Sequence, residues 1–367
     1  KLVRHKQQHP GMTVILITDP INTVYGSLPS AQFAALQQAG IDVVMIDLTR
    51  LRDPNPLYSL IWRALIRPFG NSTRGWVPSP IGGGHKVTLR SFLSAFNFKA
   101  KHRKVLIADD GDDWRGLVTS ANPHDASSAH TNVALSFTGE AVWDLLQSEN
   151  AVLALSGRET VTSQITLPKQ SPGTTVQVLT ERAIKEAAIR LIEQSRRSER
   201  LNVATFYLSD RDVIRALIDA RRRKVHLRLL LDPNKDAFGN PKFGIPNRAV
   251  AQELHRHGVQ IRWVHTHGEQ CHTKMVLRED MSGEAVILLG SANLTRRNLD
   301  NFNLETNVLI RTDASASVFK DAKFHFDMLW HNQPGRIFSV PYDHYRNQST
   351  LKLYLSRFME ASGFSTF

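Results

Sequence analysis

The chain contains one cysteine and lacks long apolar runs. Among its 367 residues, Cys271 is the single cysteine, which excludes an intramolecular disulfide and a cysteine-based zinc site. No apolar segment reaches the roughly 18 residues that a membrane-spanning helix needs. Acidic residues are also under-represented, with 34 Asp and Glu against 46 Lys and Arg, for a formal net charge of +12. A positive charge of this size favours anionic partners such as phospholipid surfaces or nucleic acid.

One sequence pattern occurs twice. Residues 102–122 read HRKVLIADDGDDWRGLVTSAN, and residues 272–293 read HTKMVLREDMSGEAVILLGSAN. Both contain His-x-Lys, an apolar strand, a turn, a second apolar strand and Ser-Ala-Asn. The first His and the closing Asn are 20 positions apart in the first copy and 21 in the second. Agreement of order and spacing over so long a stretch indicates an internal duplication.

The repetition extends upstream of the two motifs. Apolar runs that end in Asp-Pro occur at 13–20 and 225–233, and a helix, a Gly stop and a strand are predicted in both 33–47 and 250–264. Each half therefore reads strand, helix, strand, hairpin, which is typical of an α/β half with a mixed sheet and covering helices.

We therefore expect an α/β protein of two pseudo-symmetric α/β/α sandwich halves with mixed sheets. The first half spans 1–165 and the second spans 166–367, including a C-terminal extension, with a polar, turn-rich linker around 150–175. The first half carries an insert of about 50 residues at 48–98 that has no counterpart in the second. Further helices are predicted at 139–148, 181–195 and 209–222, the last with Ser209 or Asp210 at its N-terminus.

The repeated residues are expected to form one cluster. In a strand, residues i and i+2 point to the same face, and a tight hairpin returns the closing Asn beside the opening His. Each copy then offers an imidazole, an ammonium, a hydroxyl and an amide, and a pseudo-two-fold would bring the two sets face to face. The eight residues are His102, Lys104, Ser120, Asn122, His272, Lys274, Ser291 and Asn293.

This set of groups suits a phosphodiester. The lysines and amides would hold the nonbridging oxygens and stabilise the charge that builds up on them. Ser120 and Ser291 would contribute to substrate binding. One neutral imidazole would attack phosphorus, and the other would protonate the leaving alcohol and deprotonate the next nucleophile. The ordinary pKa of His, about 6.5, suits both roles. The lysines supply the positive charge, so we expect neither a metal nor a cofactor.

The doubled motif resembles the tandem HKD motif of the phospholipase D superfamily, and the resemblance covers both halves. It implies a two-lobed α/β fold, a covalent phosphohistidine and no cofactor, with His102 as the nucleophile and His272 as the general acid/base. The run around the first motif, beginning NFKAKHRKVLIADDG, is similar to bacterial membrane-lipid members such as cardiolipin-synthase-like proteins. This closer similarity implies a location at the bacterial inner membrane or its periplasmic face.

The chain departs from the superfamily pattern in its acidic residues. The Asp expected five residues after the Lys is Asp109 in the first copy, but Glu279 in the second. The resemblance implies a structural role for this acid. The family often has a further acid that orients a catalytic His, and Glu305 fits it for His272. Matching the copies without gaps places Ala134 opposite Glu305, so His102 would take its partner from elsewhere, such as Asp125, or have none.

Other features have structural interpretations. Cys271 is expected to be a small buried residue. The spacing of His255, His257, His265 and His267 resembles a metal site, but polarity at a helix end followed by a loop is the preferred interpretation. The Gly-rich segment 81–85 lacks the Lys-Ser/Thr ending of a phosphate-binding loop, and we interpret it as a hinge or flexible lid.

The insert contains a stripe of apolar residues at helical spacing. Leu57, Leu60, Ile61, Leu65 and Ile66 lie mostly on this stripe, and Arg63 and Arg67 lie off it. A helix of this kind either packs on the core through its apolar face or lies in a membrane interface.

The sequence favours an enzyme that acts on phospholipids, by hydrolysis or by phosphatidyl transfer, with peripheral association with an anionic membrane. A metal-independent nuclease of the same superfamily is the alternative that the net charge of +12 suggests. A third hypothesis is an inactive relative that binds anionic membrane or nucleic acid. The oligomeric state is not readable from the sequence.

Overall fold

The computed structural model describes residues 1–79, 84–110, 113–162, 173–237, 240–241, 244–346 and 349–364. The central part of the predicted linker and most of the Gly-rich segment at 81–85 lie outside these residues.

The elements alternate between strands and helices for much of the chain. The strands are β1 Ile15–Thr18, β2 Asp42–Met45, β3 Val77–Pro78, β4 Lys86–Val87, β5 Val105–Asp110, β6 Asp113–Thr119, β7 Ala134–Phe137, β8 Thr175–Thr180, β9 Arg200–Thr205, β10 His226–Leu231, β11 Asp236–Ala237, β12 Asn240–Pro241, β13 Gln260–Val264, β14 Lys274–Glu279, β15 Glu284–Gly290, β16 Thr306–Asp313 and β17 Ser339–Pro341. The α-helices are α1 Leu2–Gln8, α2 Ala31–Gln38, α3 Pro56–Ile61, α4 Leu89–Ser94, α5 Asp125–Ser128, α6 Glu140–Leu155, α7 Arg182–Gln194, α8 Arg211–Arg222, α9 Asn247–Arg256, α10 Arg296–Leu299, α11 Ser317–His331 and α12 Thr350–Ser362. None of the helices in the described part of the chain has the length and apolar character needed to cross a membrane.

The chain divides into two compact units that do not follow the sequence repeat. The first unit contains Lys1–Lys101 and Gln147–Ser163, and the second contains His102–Leu146 and Gln164–Phe367. The hairpin of the first motif thus belongs to the second unit, together with the whole second motif. The division of the chain at 165/166 remains a prediction based on the repeat.

The second unit is built on an eight-stranded mixed sheet in the order β17-β13-β10-β9-β14-β15-β16-β8. Strands β13, β10 and β9 run parallel, and β14, β15, β16 and β8 continue the sheet in antiparallel pairs. A separate antiparallel sheet of the same unit has the order β5-β6-β7. The predicted mixed α/β class is confirmed, although the strands of the first half are divided among three smaller sheets, β1-β2, β3-β4 and β5-β6-β7.

Alternating side chains of the large sheet fill two cores. Leu201 and Val203 of β9 point to the face covered by α7, α8 and α9, whereas Ala204 points to the opposite face. On that opposite face, α11 and the sheet β5-β6-β7 complete a second core with Val118 and Phe137. Burying one such aliphatic or aromatic side chain stabilises the fold by about 1.5–3 kcal/mol. The central strands are therefore largely apolar on both faces, with Asn202 of β9 and Arg228 of β10 as polar exceptions in the strand interiors.

Turn and cap residues fix the lengths of the predicted elements. The side chain of Asp210 caps α8 by accepting hydrogen bonds from the amides of Asp212 and Val213, at 3.0 and 3.1 Å. In the β14–β15 hairpin, the Asp280 carboxylate accepts hydrogen bonds from the amides of Ser282 and Glu284. The turn between them has Gly283 at φ +92°, a conformation that glycine adopts without a steric penalty.

The first unit contains the parallel pair β1-β2, the hairpin β3-β4 and the insert helix α3. α3 continues from Trp62 to Ile66 as a π-helical turn. The Asp19 carboxylate follows β1 and accepts a hydrogen bond from the amide of Lys101 at 2.6 Å. The second unit has the equivalent bond, because Asp232 follows β10 and accepts from the amide of Cys271 at 2.8 Å. The Asp-Pro repeat in the sequence therefore marks a repeated support for the residue that precedes each motif His.

Candidate active site

Both His-x-Lys motifs lie in the second unit, where their strands begin. Lys274 is the first residue of β14, in the middle of the large sheet between β9 and β15. Lys104 immediately precedes β5 in the smaller sheet. Hydrogen bonds join the two motifs, because the partner of His102 also bonds to Ser291 of the second motif and the partner of His272 also bonds to Ser120 of the first. The structure therefore brings the two motifs into one site.

His102 is held by a buried carboxylate from the second half of the chain. Its Nδ1 lies 2.9 Å from Glu305 Oε2, and its backbone amide donates to the carbonyl of Leu304 at 2.8 Å. Glu305 is fully buried, whereas about a quarter of the His102 side chain is exposed. When Nδ1–H donates to the carboxylate, the lone pair of Nε2 is left free.

Glu305 is itself fixed by several donors. Its Oε2 accepts from the Ser291 hydroxyl at 2.5 Å, and its Oε1 accepts from the side-chain amide of Asn298. Its backbone amide donates to Glu181 Oε1 at 3.0 Å, and that carboxylate also pairs with Arg103 at 2.7 Å. These bonds satisfy a buried charge that would otherwise be costly, and they fix the direction from which Glu305 meets His102.

His272 has an amide partner where His102 has a carboxylate. Its Nδ1 lies 3.1 Å from Asn132 Oδ1. Asn132 Oδ1 also accepts from the Ser120 hydroxyl at 3.2 Å, just as Glu305 accepts from Ser291. The residues that follow complete the match, since the amide of Val133 donates to the Ser120 hydroxyl as that of Thr306 does to Ser291, both at 3.0 Å. Asn132 is therefore the structural counterpart of Glu305.

The predicted pairing of the acid was wrong. Glu305 contacts His102 rather than His272, and Ala134 is not its counterpart. The Ser-to-partner spacing is 12 residues in the first copy and 14 in the second, so matching without gaps missed Asn132 by two positions. Asp125 is an exposed residue at the start of α5 and has no bond to His102 among the described contacts. Each copy thus supplies the partner of the other copy's His.

The two lysines are buried and similarly arranged. Lys104 Nζ donates to the carbonyl of His102 at 2.6 Å, and Lys274 Nζ donates to the carbonyl of His272 at 2.8 Å. Lys274 Nζ also lies 5.3 Å from the centroid of the Phe206 ring. Burial, followed by repulsion from Lys104, holds the pKa of Lys274 well below its usual value. An anion bound between the lysines would offset both effects.

The pair His102–Glu305 has a defined charge state in the free protein. Burial lowers the pKa of His102 to about 4, although the neighbouring carboxylate opposes this shift. Burial alone would raise the pKa of Glu305, but the attraction and hydrogen bond of His102 and the charge of Lys104 lower it to about 2. At neutral pH the imidazole is therefore neutral beside an ionised carboxylate, which is the state a nucleophilic His requires.

Two further buried groups, His272 and Asp232, interact with Lys274, and burial shifts the pKa of each toward its neutral form. Burial, together with Lys274 and Lys104, lowers the pKa of His272 well below its usual value. Asp232 was not singled out from the sequence, but its buried carboxylate also interacts with Lys274. Burial raises the pKa of Asp232 to about 6, against the hydrogen bonds from Cys271 and Asn234.

The two predicted amides keep polar atoms available. Asn293 is buried, and its Oδ1 has no hydrogen-bond partner among the described residues. Asn122 is half-buried and lines an open pocket of about 530 Å³ together with His130 and Asn132. An unsatisfied buried amide costs stability unless a ligand completes it. Only the Nδ2–H groups of these amides can donate to a phosphoryl oxygen, so the role of both amides in holding a phosphoryl group remains a prediction, and the unpaired Oδ1 of Asn293 is available for a donor instead.

The two serines are fully buried behind the histidine partners. Ser120 bonds to Asn132, and Ser291 bonds to Glu305. This geometry favours a positioning role for both hydroxyls. It does not support the predicted role of the two serines in substrate binding, which remains a prediction.

The remaining sequence candidates lie away from the reacting groups. Glu279 is at the opposite end of β14 from Lys274, about 17 Å along a strand, and forms salt bridges with Arg200 and Lys323. Asp109 is exposed near the end of β5. Cys271 is buried, as expected, and burial raises the pKa of its thiol. Across the described ranges, no group of three or more His, Cys, Asp or Glu residues is placed to hold a metal, including the histidines at 255–267.

Comparisons with known proteins identify what part of the chain and what fold are shared. Residues 188–330, which contain the second motif and Glu305, match the family model described as "Cardiolipin synthase, PLD-like domain". No curated protein sequence matches the chain.

Several solved structures are similar to the chain at low sequence identity. Phosphatidylserine synthase from Haemophilus influenzae Rd KW20 is 12% identical, with 96% of this chain and 89% of that chain covered and a TM-score of 0.57. Nuc from Salmonella typhimurium, described as a phospholipase D family member, is 20% identical over 43% of this chain and 95% of its own, with a TM-score of 0.35. A yeast tyrosyl-DNA phosphodiesterase mutant is 9% identical over 82% and 78%, with a TM-score of 0.44. The synthase match shows a shared fold, and the family model identifies residues 188–330 as a phospholipase D-like domain.

Proposed function

We propose that this protein releases or transfers the phosphatidyl group of phospholipids through a phosphohistidine on His102. The observation that carries the proposal is the 2.9 Å contact between His102 Nδ1 and Glu305. This contact fixes the tautomer that leaves Nε2 free to attack, and it places a negative charge where the imidazole becomes positive.

In the first step, a bond forms between His102 Nε2 and phosphorus while the bond from phosphorus to the leaving alcohol oxygen breaks. His272 donates its proton to that oxygen. The pKa of His272 is low in the free protein because of burial and the two lysines. A bound phosphodiester anion offsets the charge of the lysines, and therefore raises the pKa of His272 so that it carries the proton the leaving group needs.

In the second step, water or an acceptor alcohol attacks phosphorus. The attacking hydroxyl gives its proton to His272, its oxygen bonds to phosphorus, and the bond from phosphorus to His102 Nε2 breaks. His272 is protonated again, so the cycle closes without net change in either imidazole. Glu305 stays ionised throughout and stabilises the phosphorylated imidazolium between the two steps.

Lys104, Lys274 and the two amides bind the phosphoryl oxygens. Both ammonium groups are buried beside the histidines, and each amide would donate to the phosphoryl oxygens through its Nδ2–H groups, because an amide oxygen only accepts. Charge that builds up on the nonbridging oxygens is stabilised more strongly in a site of low dielectric constant than in water.

A phospholipid substrate is supported by the kind of relatives that the chain resembles. The matching family model is named for cardiolipin synthase, and the solved structure with a TM-score of 0.57 is a phosphatidylserine synthase. A shared fold does not fix the substrate, so the proposal needs a direct assay.

The assay compares labelled phosphatidylglycerol, phosphatidylethanolamine, phosphatidylcholine and DNA, each in EDTA, with and without an added alcohol acceptor. The wild type is compared with His102→Ala, with His272→Ala, and with His226→Ala, a matched control that changes an exposed His at the start of β10. We expect turnover of at least one phospholipid in the wild type and the control, and its loss in the two motif variants. Products of the alcohol acceptor then separate transfer from hydrolysis.

Two results contradict the proposal. Cleavage of DNA without turnover of phospholipid assigns the site to a nuclease. Activity that survives both motif substitutions removes the histidines from the chemistry.

A further inference from the structure

The insert of the first unit exposes large apolar side chains instead of packing them. Along α3, the π-helical turn and the segment that follows, six such residues are between 41% and 71% exposed. They are Leu57, Leu60, Ile61, Leu65, Phe69 and Trp76, and we call them the insert surface. Of the two interpretations of the apolar stripe, packing on the core is wrong for most of its residues.

The inner side of α3 is already anchored by other residues. Ser59 is buried, and the Tyr58 hydroxyl donates to the carbonyl of Leu93 at 2.7 Å. Asn55 caps the helix, and its side chain accepts from the amide of Tyr58 at 3.1 Å. The helix is therefore held against its unit through its polar and aromatic side, and the leucines remain outside. Apolar groups exposed in such a cluster usually mark a binding surface.

The charge of the insert indicates what this surface binds. Residues 48–98 contain seven Lys and Arg and one acid, Asp53, so they carry half of the chain's net charge of +12. Asp53 is already neutralised by Lys99 and Arg63, at 2.6 and 2.5 Å. Arg67, Arg74 and Lys86 are exposed within the same segment. Apolar and basic side chains together match a surface that has an apolar interior beneath a layer of negative charge.

We propose that the insert surface binds an anionic phospholipid bilayer. The leucines, Phe69 and Trp76 enter the interfacial region, and the arginines and Lys86 lie among the headgroup phosphates. The proposal rests on the proposed function for its biological purpose, because an enzyme that acts on phospholipids must reach them. Its physical basis is separate, since no residue of the insert surface belongs to the His–Lys site.

The test measures binding to vesicles without turnover. All proteins carry His102→Ala so that the phospholipids are not consumed. Vesicles of phosphatidylglycerol with phosphatidylcholine are compared with vesicles of phosphatidylcholine alone, by flotation. One variant removes apolar contact with Leu60→Gln and Leu65→Gln, and a second removes charge with Arg67→Gln and Arg74→Gln.

Each variant has a matched control in the second unit. Met281→Gln and Ile337→Gln change apolar residues that are at least as exposed as Leu60. Arg196→Gln and Arg197→Gln change two exposed arginines elsewhere. We expect the insert variants to bind anionic vesicles about tenfold more weakly or worse, and the controls to bind like the parent. Thermal unfolding of every variant should match that of the parent, because the changed side chains are exposed.

Three results overturn the proposal. The first is that the insert variants bind as tightly as the parent, and the second is that the parent binds neutral and anionic vesicles equally. The third is that the apolar variant differs from the parent only in its oligomeric state, as measured by light scattering. The last result would assign the surface to a second copy of the chain. Cleavage of a water-soluble phosphodiester by the wild type and by the insert variants, without His102→Ala, is measured in parallel. Loss of vesicle binding with normal cleavage supports the inference, and absence of cleavage in the wild type counts against the proposed function alone.

Discussion

The two histidines of the site occupy equivalent positions but have different partners. His102 faces the fully buried carboxylate of Glu305, and His272 faces the amide of Asn132. The surrounding hydrogen bonds to Ser291 and Ser120 are the same in both. A carboxylate stabilises an imidazolium, whereas an amide oxygen fixes the tautomer without adding charge. The duplicated scaffold thus stabilises positive charge on His102 more than on His272, as a phosphorylated imidazolium on His102 requires.

The largest expected effect is the loss of turnover when either histidine is replaced. The dependence of the remaining rate on the leaving group then separates the roles of the two histidines. We expect His102→Ala to reduce turnover by on the order of 10⁴-fold or more, because no nucleophile remains. His272→Ala should cost about 10²–10⁴-fold with a phospholipid, the usual contribution of a general acid. With a nitrophenyl phosphodiester, whose leaving group needs no proton, His272→Ala should recover most of its first-step rate and His102→Ala should recover none.

Trapping the intermediate gives an independent measurement. Mass spectrometry of protein quenched during turnover should find the phosphoryl adduct on His102, with greater accumulation in His272→Ala. An adduct on His272, or rescue of His102→Ala by the activated substrate, would reverse the two assignments.

The next largest effect comes from removing the charge of Glu305. Glu305→Gln preserves the shape and the contact to His102 but removes the charge that stabilises the phosphorylated imidazolium. We expect kcat to fall by about 10²-fold or more, with a smaller change in KM. The control is Glu279→Gln, which removes a carboxylate at the far end of β14 and should leave kcat within a few fold. Equal losses in the two variants would mean that the charge of Glu305 has no special role.

A smaller effect is expected from making the two partners alike. Asn132→Asp places a carboxylate beside His272 and should raise its pKa by about one unit or more. The general acid then stays protonated to higher pH, so the alkaline limb of kcat/KM moves upward. The acidic limb reports His102, which must be deprotonated to act as the nucleophile and loses its proton as the pH rises through its pKa of about 4. This limb should stay in place.

The control for this substitution is Asn301→Asp, at an exposed residue after α10 whose side chain accepts from the amide of Arg182. It should leave both limbs unchanged. An alkaline limb that does not move in Asn132→Asp would show that His272 does not set it.

The sequence predicted the reacting groups better than their supports. The period of two along a strand placed His102 with Lys104 and His272 with Lys274, and the duplication predicted that they would meet. Asn132 was missed because the loop that follows Ser120 is two residues shorter than the one that follows Ser291. The match is fixed instead by the equivalent bonds from the amides of Val133 and Thr306 to the two serine hydroxyls, which the sequence does not show. Asp232 and Glu181 depend on tertiary contacts and left no signal beyond the repeated Asp-Pro.

The fold shows a similar limit. Strand and helix types followed from periodicity, and helices such as α8 begin within two residues of their predicted positions. The same information could not tell which way the insert helix faces, because α3 carries apolar residues on more than one side and Tyr58 and Ser59 decide its anchored face. Grouping of the first hairpin with the second unit likewise depends on long-range packing of Val118 and Phe137, which periodicity does not encode.

The smallest expected difference compares the two serines. Ser291→Ala removes a charge-assisted hydrogen bond of 2.5 Å to Glu305, and Ser120→Ala removes a neutral one of 3.2 Å to Asn132. Bonds to charged groups contribute about 1.5–3 kcal/mol and neutral ones about 0.5–1.5 kcal/mol, so Ser291→Ala should lower the free energy of unfolding more. Because both serines position the histidine partners, kcat should fall and KM should stay nearly constant, again more in Ser291→Ala. A rise in KM with unchanged kcat in either variant would instead support the substrate-binding role that the sequence predicts for that serine. It would also mean that the site opens further around a bound phosphodiester than the buried hydroxyls indicate.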